Sequence, residues 1–268
     1  MTVEKWLKHG TDKLNRAGIG SARLDSLILL EDALHRDRAW LLANPEAEVS
    51  VTNLKKLERR LAKRAKHEPI AYIRGFTEFY GRKFKINRHV LEPRPESETM
   101  VEMALNLPLR TYAAIADIGT GCGAIGITFK LERPKTRVDL YDISAGALAV
   151  ARANEHIHEI KLHVRKMDLL KRPLVPYDML LANLPYVPSS WKINEAALAE
   201  PKIAIDGGQD GLDLYRRMFK QLNRFTWKPK YVLTESLPPQ HPKLAGIAAK
   251  HGYKLTQTQD FIQVFVQT

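Results

Sequence analysis

Ala113-Ala-Ile-Ala-Asp117-Ile-Gly119-Thr-Gly121-Cys-Gly123-Ala-Ile-Gly126 is the stretch that decides the fold. Its apolar start, residues 113–118, predicts a buried strand. The glycines that follow permit a tight turn in which the backbone can approach a ligand closely. From Ala124 the chain predicts a helix whose first N–H groups are free to meet an anion.

Working outward, short apolar strands are predicted at 113–118, 137–141, 161–165, 177–182, 230–234, 253–256 and 261–266. The first four alternate with helical or connecting segments, which predicts βαβ units and a largely parallel sheet. The last two leave no room for a crossover helix and must pair antiparallel. Upstream, Trp6, Leu7 and Leu14, then Leu24, Leu27, Ile28 and Leu34, then Leu54, Leu57, Leu61 and Ala65 recur at helical spacing. These predict a small helical bundle over residues 1–70. Residues 71–92, with Gly75, Phe79, Gly81 and Phe84, read as a hairpin or extended linker. Residues 93–268 form the larger α/β domain, and Pro93-Arg94-Pro95 stiffens its entry before a helix through Val101 and Leu105.

With 268 residues, 44% hydrophobic, the chain can bury a substantial core. No apolar run reaches the roughly 18 residues that span a bilayer. The first residues, Met1-Thr-Val-Glu-Lys-Trp6, lack the apolar stretch of a signal peptide. Cys122 is the single cysteine, so an intrachain disulfide and a cysteine-based metal cage are excluded. A cytoplasmic protein is expected, and a monomer, since nothing demands a dimer. The formal net charge of +12 permits contact with RNA, a ribosome or an acidic partner without requiring one. The run Lys55-Lys56-Leu57-Glu58-Arg59-Arg60-Leu61-Ala62-Lys63-Arg64 is read first as a solvated helix face, and second as a contact surface for an acidic protein or RNA.

Two cofactor classes fit the glycine turn. Gly119, Gly121 and Ala124 satisfy a dinucleotide pattern, where the helix would meet a pyrophosphate. In a methyl-donor site it would meet a methionine carboxylate, with Asp117 placed to hold an ammonium group. Asp142, ending the second strand, suits ribose hydroxyls in both classes. Asp168, ending the third, would accept from an exocyclic adenine amine, with Leu169 covering the ring. A helix cap is the plain alternative for Asp168. Cys122 has no evident neighbouring base and reads as a small loop residue.

Asn183-Leu184-Pro185-Tyr186 separates the classes. The fourth strand delivers it to the carboxyl edge of the sheet, where open α/β sheets bind ligands, and a dehydrogenase has no obvious use for it. A planar amide or aromatic-amine nitrogen is a poor nucleophile because its lone pair is delocalised. The Asn183 side-chain oxygen and the Leu184 carbonyl can accept from its two N–H groups, orient it and stabilise the positive charge that develops. Pro185 fixes the turn, and Tyr186 can stack on a flat group. No metal is needed.

These residues resemble those of the peptide-chain-release-factor N5-glutamine methyltransferases, with similarity over nearly the whole chain. Glu68-Pro69-Ile70-Ala71-Tyr72-Ile73-x-Gly75 with Glu78-Phe79-Tyr80 resembles that family's interdomain segment. Leu91-Glu92-Pro93-Arg94-Pro95-Glu96-Ser97-Glu98 resembles a block bordering its active site. Glu200-Pro201-x-x-Ala204-x-Asp206-Gly207-Gly208-x-Asp210-Gly211-Leu212 resembles the segment after its catalytic loop. The resemblance implies a class I S-adenosylmethionine-dependent methyltransferase: a Rossmann-like seven-stranded sheet, last strands antiparallel, with a small N-terminal helical domain that recognises the release factor. It implies S-adenosylmethionine on Asp117, Gly119, Thr120, Gly121, Cys122, Gly123, Asp142, Ile143, Asp168, Leu169 and Asn183. It places the substrate glutamine, from the Gly-Gly-Gln tip of a class 1 release factor, on Asn183, Leu184, Pro185, Tyr186, Arg94 and Glu98. Asn183, Pro185 and Tyr186 would be catalytic. The usual family loop has proline where this chain has Leu184, a change toward rRNA adenine dimethyltransferases, but a backbone carbonyl survives it. Adenine-N6 methylation of nucleic acid, a ribosomal-protein glutamine as substrate, and a non-catalytic nucleotide-binding module are the competing readings. The blocks around Arg94 and Gly207 favour the release-factor branch. Gly207-Gly208-Gln209 repeats the substrate tripeptide but reads as a glycine-rich turn.

Overall fold

A computed structural model describes residues 1–191 and 199–268. They form two compact units, one built from Met1–Gly75 and the other from residues 76–191 and 200–268.

The first unit is helical: α1 (Val3–Arg16), α2 (Ala22–Leu34), α3 (Arg38–Ala43), α4 (Val51–Arg64) and α5 (Ile70–Arg74). Thr2, Asp37 and Ser50 cap α1, α3 and α4 by accepting from backbone N–H groups three residues on. Trp6, Leu14, Leu29, Leu30, Leu57 and Leu61 are fully buried. The buried face of α2 differs from the expected one: Leu24 is exposed, while Ser26, Leu29, Leu30 and Ala33 are inside. The reason is that α2 packs against α1, α3, α4 and α5, so no single stripe suffices. Gly10 allows the closest approach in this unit, since a Cβ there would lie 2.9 Å from Ser26 Oγ. Arg64 pairs with buried Asp25 at 2.6 Å, and Arg74 with Asp32 at 2.9 Å. Residues 71–74, expected to be extended, are the last turn of α5.

The second unit opens with a hairpin, β1 (Phe76–Phe79) and β2 (Arg82–Lys85), turned at Tyr80-Gly81, both with positive φ. Then follow α6 (Glu98–Leu105), β3 (Ala114–Ile118), α7 (Ala124–Glu132), β4 (Arg137–Asp142), α8 (Ala145–Ile157), β5 (His163–Lys166) and β6 (Met179–Ala182). The chain finishes with α9 (Asp213–Leu222), β7 (Tyr231–Glu235), α10 (His241–Ala249), β8 (Tyr253–Gln259) and β9 (Ile262–Gln267). All seven expected strands join one sheet in the order β5-β4-β3-β6-β7-β9-β8. The first five strands of that order run parallel, and β9 pairs antiparallel with both β7 and β8. β3, β6 and β7 are buried at every position, which explains their unbroken apolar character.

This order places the functional elements. From β3 the chain moves outward through β4 to β5, then returns to lay β6 on the other side of β3. The strand order therefore reverses between β3 and β6, and a crevice opens at their carboxyl ends. The register pairs Ile118 with Tyr141 on one side and with Ala182 on the other, so Gly119, Asp142 and Asn183 leave the sheet side by side.

Candidate active site

A cavity opens at that point. Gly119, Thr120, Gly121 and Cys122 line it, as do Asp142, Ile143, Asp168, Leu169, Asn183, Leu184 and Pro185, joined by Leu91, Pro93 and Ser97 and by Ile203, Ala204, Leu214 and Arg217. Most residues singled out in the sequence thus converge on one space. Asp117, Gly123, Tyr186, Arg94 and Glu98 lie outside its wall.

The glycine turn is held from beneath. Asp117, 1% exposed, accepts through Oδ2 from Thr120 Oγ1 at 2.6 Å and from the Gly126 N–H at 3.0 Å. Burial pushes its carboxyl up to about 6, against those two hydrogen bonds. Gly119 has φ +72°, and a Cβ on it would lie 2.9 Å from Leu184 Cδ2. Leu184 is itself 2% exposed, so the residue that departs from the usual proline packs the Asn183–Tyr186 loop onto the glycine turn. Asp142 accepts from the Gly121 N–H at 2.9 Å and the Ser144 N–H at 2.8 Å, and burial raises its pKa. Asn154 ties the turn to the hairpin: its Nδ2 donates to the carbonyls of Cys122 and Lys85. Burial pushes the Cys122 thiol up to about 12, which removes it as a nucleophile.

At the far end of the cavity, Asp168 is paired with Arg217, whose Nη2 reaches its two oxygens at 2.8 and 2.7 Å. Leu169 holds φ +53°, an unusual conformation for a branched residue and one that costs about 1–3 kcal/mol.

The Asn183–Tyr186 loop hangs on groups that the sequence reading does not single out. Tyr215, fully buried on α9, receives the Leu184 N–H at 3.2 Å, donates to the Ala182 carbonyl at 3.1 Å, and meets the Glu235 carbonyl. Gln240 Nε2 donates to the Tyr186 carbonyl at 2.8 Å. Glu235 ends β7 and is 1% exposed. Its Oε2 accepts from Ser97 Oγ at 2.6 Å and its Oε1 from the Tyr186 hydroxyl at 3.0 Å, while Asn183 Nδ2 donates to Ser97 Oγ at 2.9 Å. Burial raises the Glu235 carboxyl, and these donors oppose the rise. An acid closing a strand is the signal that singled out Asp142 and Asp168, and Tyr231-Val-Leu-Thr-Glu235 carries it too.

The two flanking blocks brace the site. Arg94 Nη2 pairs with Glu200 Oε2 at 2.7 Å, and the Glu92 N–H donates to Glu200 Oε1 at 3.3 Å. Glu98 accepts from the Tyr80 N–H at 2.7 Å. Gly207 stacks under the loop, with a Cβ there only 2.6 Å from the Pro185 carbonyl. Its N–H donates to the Val187 carbonyl at 2.9 Å. The Gly207-Gly208 turn is therefore a packing element.

Residues 5–75 match the PrmC N-terminal domain, and residues 98–200 match the methyltransferase small domain. A release factor glutamine methyltransferase of Coxiella burnetii is 35% identical over 89% of this chain and 87% of that protein. The chain belongs to the release factor glutamine methyltransferase family. It also aligns over 98% of its length, at 29% identity, with a bifunctional methyltransferase of Rickettsia bellii, of which it spans 53%. The chain thus covers about half the length of those bifunctional relatives. Among solved structures, a methyltransferase from Pyrococcus furiosus shares the fold, with a TM-score of 0.51 at 15% identity, covering 78% of this chain and 98% of that one. The second unit accordingly has the class I methyltransferase fold.

Among the described residues no helix is long and apolar enough to cross a membrane.

Proposed function

We propose that this chain moves the methyl group of S-adenosylmethionine to the side-chain amide nitrogen of the glutamine in the Gly-Gly-Gln tip of a class 1 peptide chain release factor. The observation that carries the reading is the Asn183 amide: its NH₂ end is taken by Ser97, which leaves Oδ1 as the polar end available on a residue of the cavity wall. An acceptor there, with the Leu184 carbonyl beside it, suits a planar N–H₂ group.

The cavity fits S-adenosylmethionine. Burial raises the cost of ionising both Asp117 and Asp142, the Asp142 charge adds to it at Asp117, and a ligand carrying an ammonium and a sulfonium relieves it. A dinucleotide suits it less, because the Gly121 N–H that would cradle a pyrophosphate already serves Asp142. Asp142 would hold the ribose, Asp168 and Leu169 would meet the adenine, and Gly119 to Gly123 would border the methionine part. When bound, the cofactor supplies an electrophilic methyl group on positively charged sulfur.

Asn183 and Leu184 then orient the glutamine nitrogen, and their oxygens stabilise the charge it gains on methylation. The nitrogen would form one bond to the methyl carbon as the carbon–sulfur bond breaks, the electron pair staying on sulfur to leave S-adenosylhomocysteine, and the nitrogen would lose one proton to water. Pro185, lacking an N–H, keeps the turn free of a competing donor, and Tyr186 flanks the amide. Arg94 and Glu200 brace the loop that borders the substrate. Release-factor recognition is assigned to the helical unit, residues 1–70, with residues 71–92 as the intervening hairpin segment and 93–268 as the catalytic domain.

Incubation with labelled S-adenosylmethionine and purified release factor, tRNA or rRNA tests the reading, with peptide mapping to locate the methyl group. Label on the tip glutamine is expected. Label confined to nucleic acid would overturn it.

A further inference from the structure

Asn183 is useful only if its amide presents oxygen to the substrate. Its two ends are nearly the same size, so packing alone selects neither, and a hydrogen-bonding partner of fixed polarity must. Ser97 is that partner. Its hydroxyl has a single proton and can serve as a donor on one side and an acceptor on the other.

The polarity of the hydroxyl is set by what lies behind it. Burial opposes ionisation of Glu235, while hydrogen bonds from Ser97, Tyr186 and the Asn183 side chain favour its carboxylate; in that form it accepts only, and it stands 2.6 Å from Ser97 Oγ. The serine proton must therefore point to Glu235, leaving lone pairs to receive Asn183 Nδ2 at 2.9 Å. The second carboxylate oxygen takes the Tyr186 hydroxyl at 3.0 Å. One buried acceptor thus draws on both flanks of the catalytic loop, and at 1% exposure water does not compete for it.

We infer that Glu235 is a positioning residue that, through Ser97, turns the oxygen of the Asn183 amide toward the substrate nitrogen. This rests on the methyl-transfer reading of the site. A neutral group at 235 lets the chain run backwards: a donor facing Ser97 would send its proton to Asn183 and draw Oδ1 there. The NH₂ end would then face the substrate N–H₂, donor against donor. Such a change costs turnover without removing any cofactor contact.

Three variants test this: Glu235→Gln, Ser97→Ala and the double substitution, each compared with the wild type. With release factor as substrate, each single variant is expected to lose about 10²-fold in kcat, the scale of one misplaced polar partner. KM for the release factor and affinity for S-adenosylmethionine should stay within about twofold. The double variant should be no worse than the poorer single one, since both break the same relay. Independently of any substrate, the Asn183 side-chain amide resonance, assigned by its loss in Asn183→Ala, should shift in Glu235→Gln. Full kcat with an unmoved resonance would overturn the inference. So would losses that multiply in the double variant, or that merely follow a fall in thermal stability. Should the wild type fail to methylate release factor, the substrate reading fails, and the amide resonance still decides the relay.

Discussion

The contact between Gly119 and Leu184 is the most local test of how the two loops are joined. Leu184→Ala removes a side chain that is 2% exposed and packed in the main core of the second unit. Such truncations cost about 2–5 kcal/mol, and the lower half is expected here because the residue borders an open cavity that can relax or admit water. Gly119→Ala carries two costs. Its φ of +72° is one that alanine adopts at about 1–2 kcal/mol, and its new methyl group would lie 2.9 Å from Leu184 Cδ2. The second cost disappears when Leu184 is already alanine. The double variant should therefore be more stable than the sum of the singles, by about 1 kcal/mol. Urea denaturation of the four proteins, with S-adenosylhomocysteine affinity as a second reading of the same cycle, measures the coupling. Strict additivity, within about 0.5 kcal/mol, would show that the leucine does not clamp the glycine turn and that Gly119 is needed for its φ alone.

Asn183→Ala should lower kcat by roughly 10²- to 10³-fold with little change in cofactor affinity; near-normal turnover would remove Asn183 from its role. Asp142→Ala should weaken S-adenosylmethionine binding by about 1–3 kcal/mol in calorimetry, as ribose hydrogen bonds are lost, and unchanged affinity would count against the ribose assignment. Asp117 gives a pH signature. Its carboxyl titrates near 6 in the fold and near 3.8 when unfolded, so the folded state binds the proton more tightly and stability falls as pH rises through that window. Asp117→Asn keeps an oxygen for Thr120 and Gly126 and loses the titration. Its stability relative to wild type should climb by up to roughly 3 kcal/mol between pH 4 and 7 in urea melts without cofactor, and parallel curves would refute the burial cost.

The sheet was legible because β3, β6 and β7 are buried on both faces and so read as unbroken apolar runs. The antiparallel finish was legible from chain length alone, since β8 and β9 are separated by only two residues. The glycine turn and the Asn183–Tyr186 loop were legible for one reason: each directly follows a recognisable strand, and neighbouring parallel strands bring their carboxyl ends together. The α2 face was not legible because a helix contacted on several sides has no single period. The Arg217 partner of Asp168 was out of reach because it comes from an amphipathic helix on which one cation looks like any other.

Glu235 is the instructive omission, because its local signal was as strong as that of Asp142. What the sequence lacks is the pairing. Ser97 and Glu235 are 138 residues apart, and Asn183 lies 86 from Ser97. A strand-end acid can meet a cofactor hydroxyl, a backbone turn or a side-chain relay, and only the fold selects among these. Asp117 braces a turn, Asp142 both braces a turn and lines the cavity, and Glu235 stands behind the wall residue Ser97. Acids near one edge of the sheet thus take three duties: Asp117 lies below the level that Asp142 and Glu235 share, and those two differ in the groups that surround them. Strand periodicity locates such an edge in a sequence, while the polarity of a hydrogen-bonded chain across it depends on contacts that no spacing encodes.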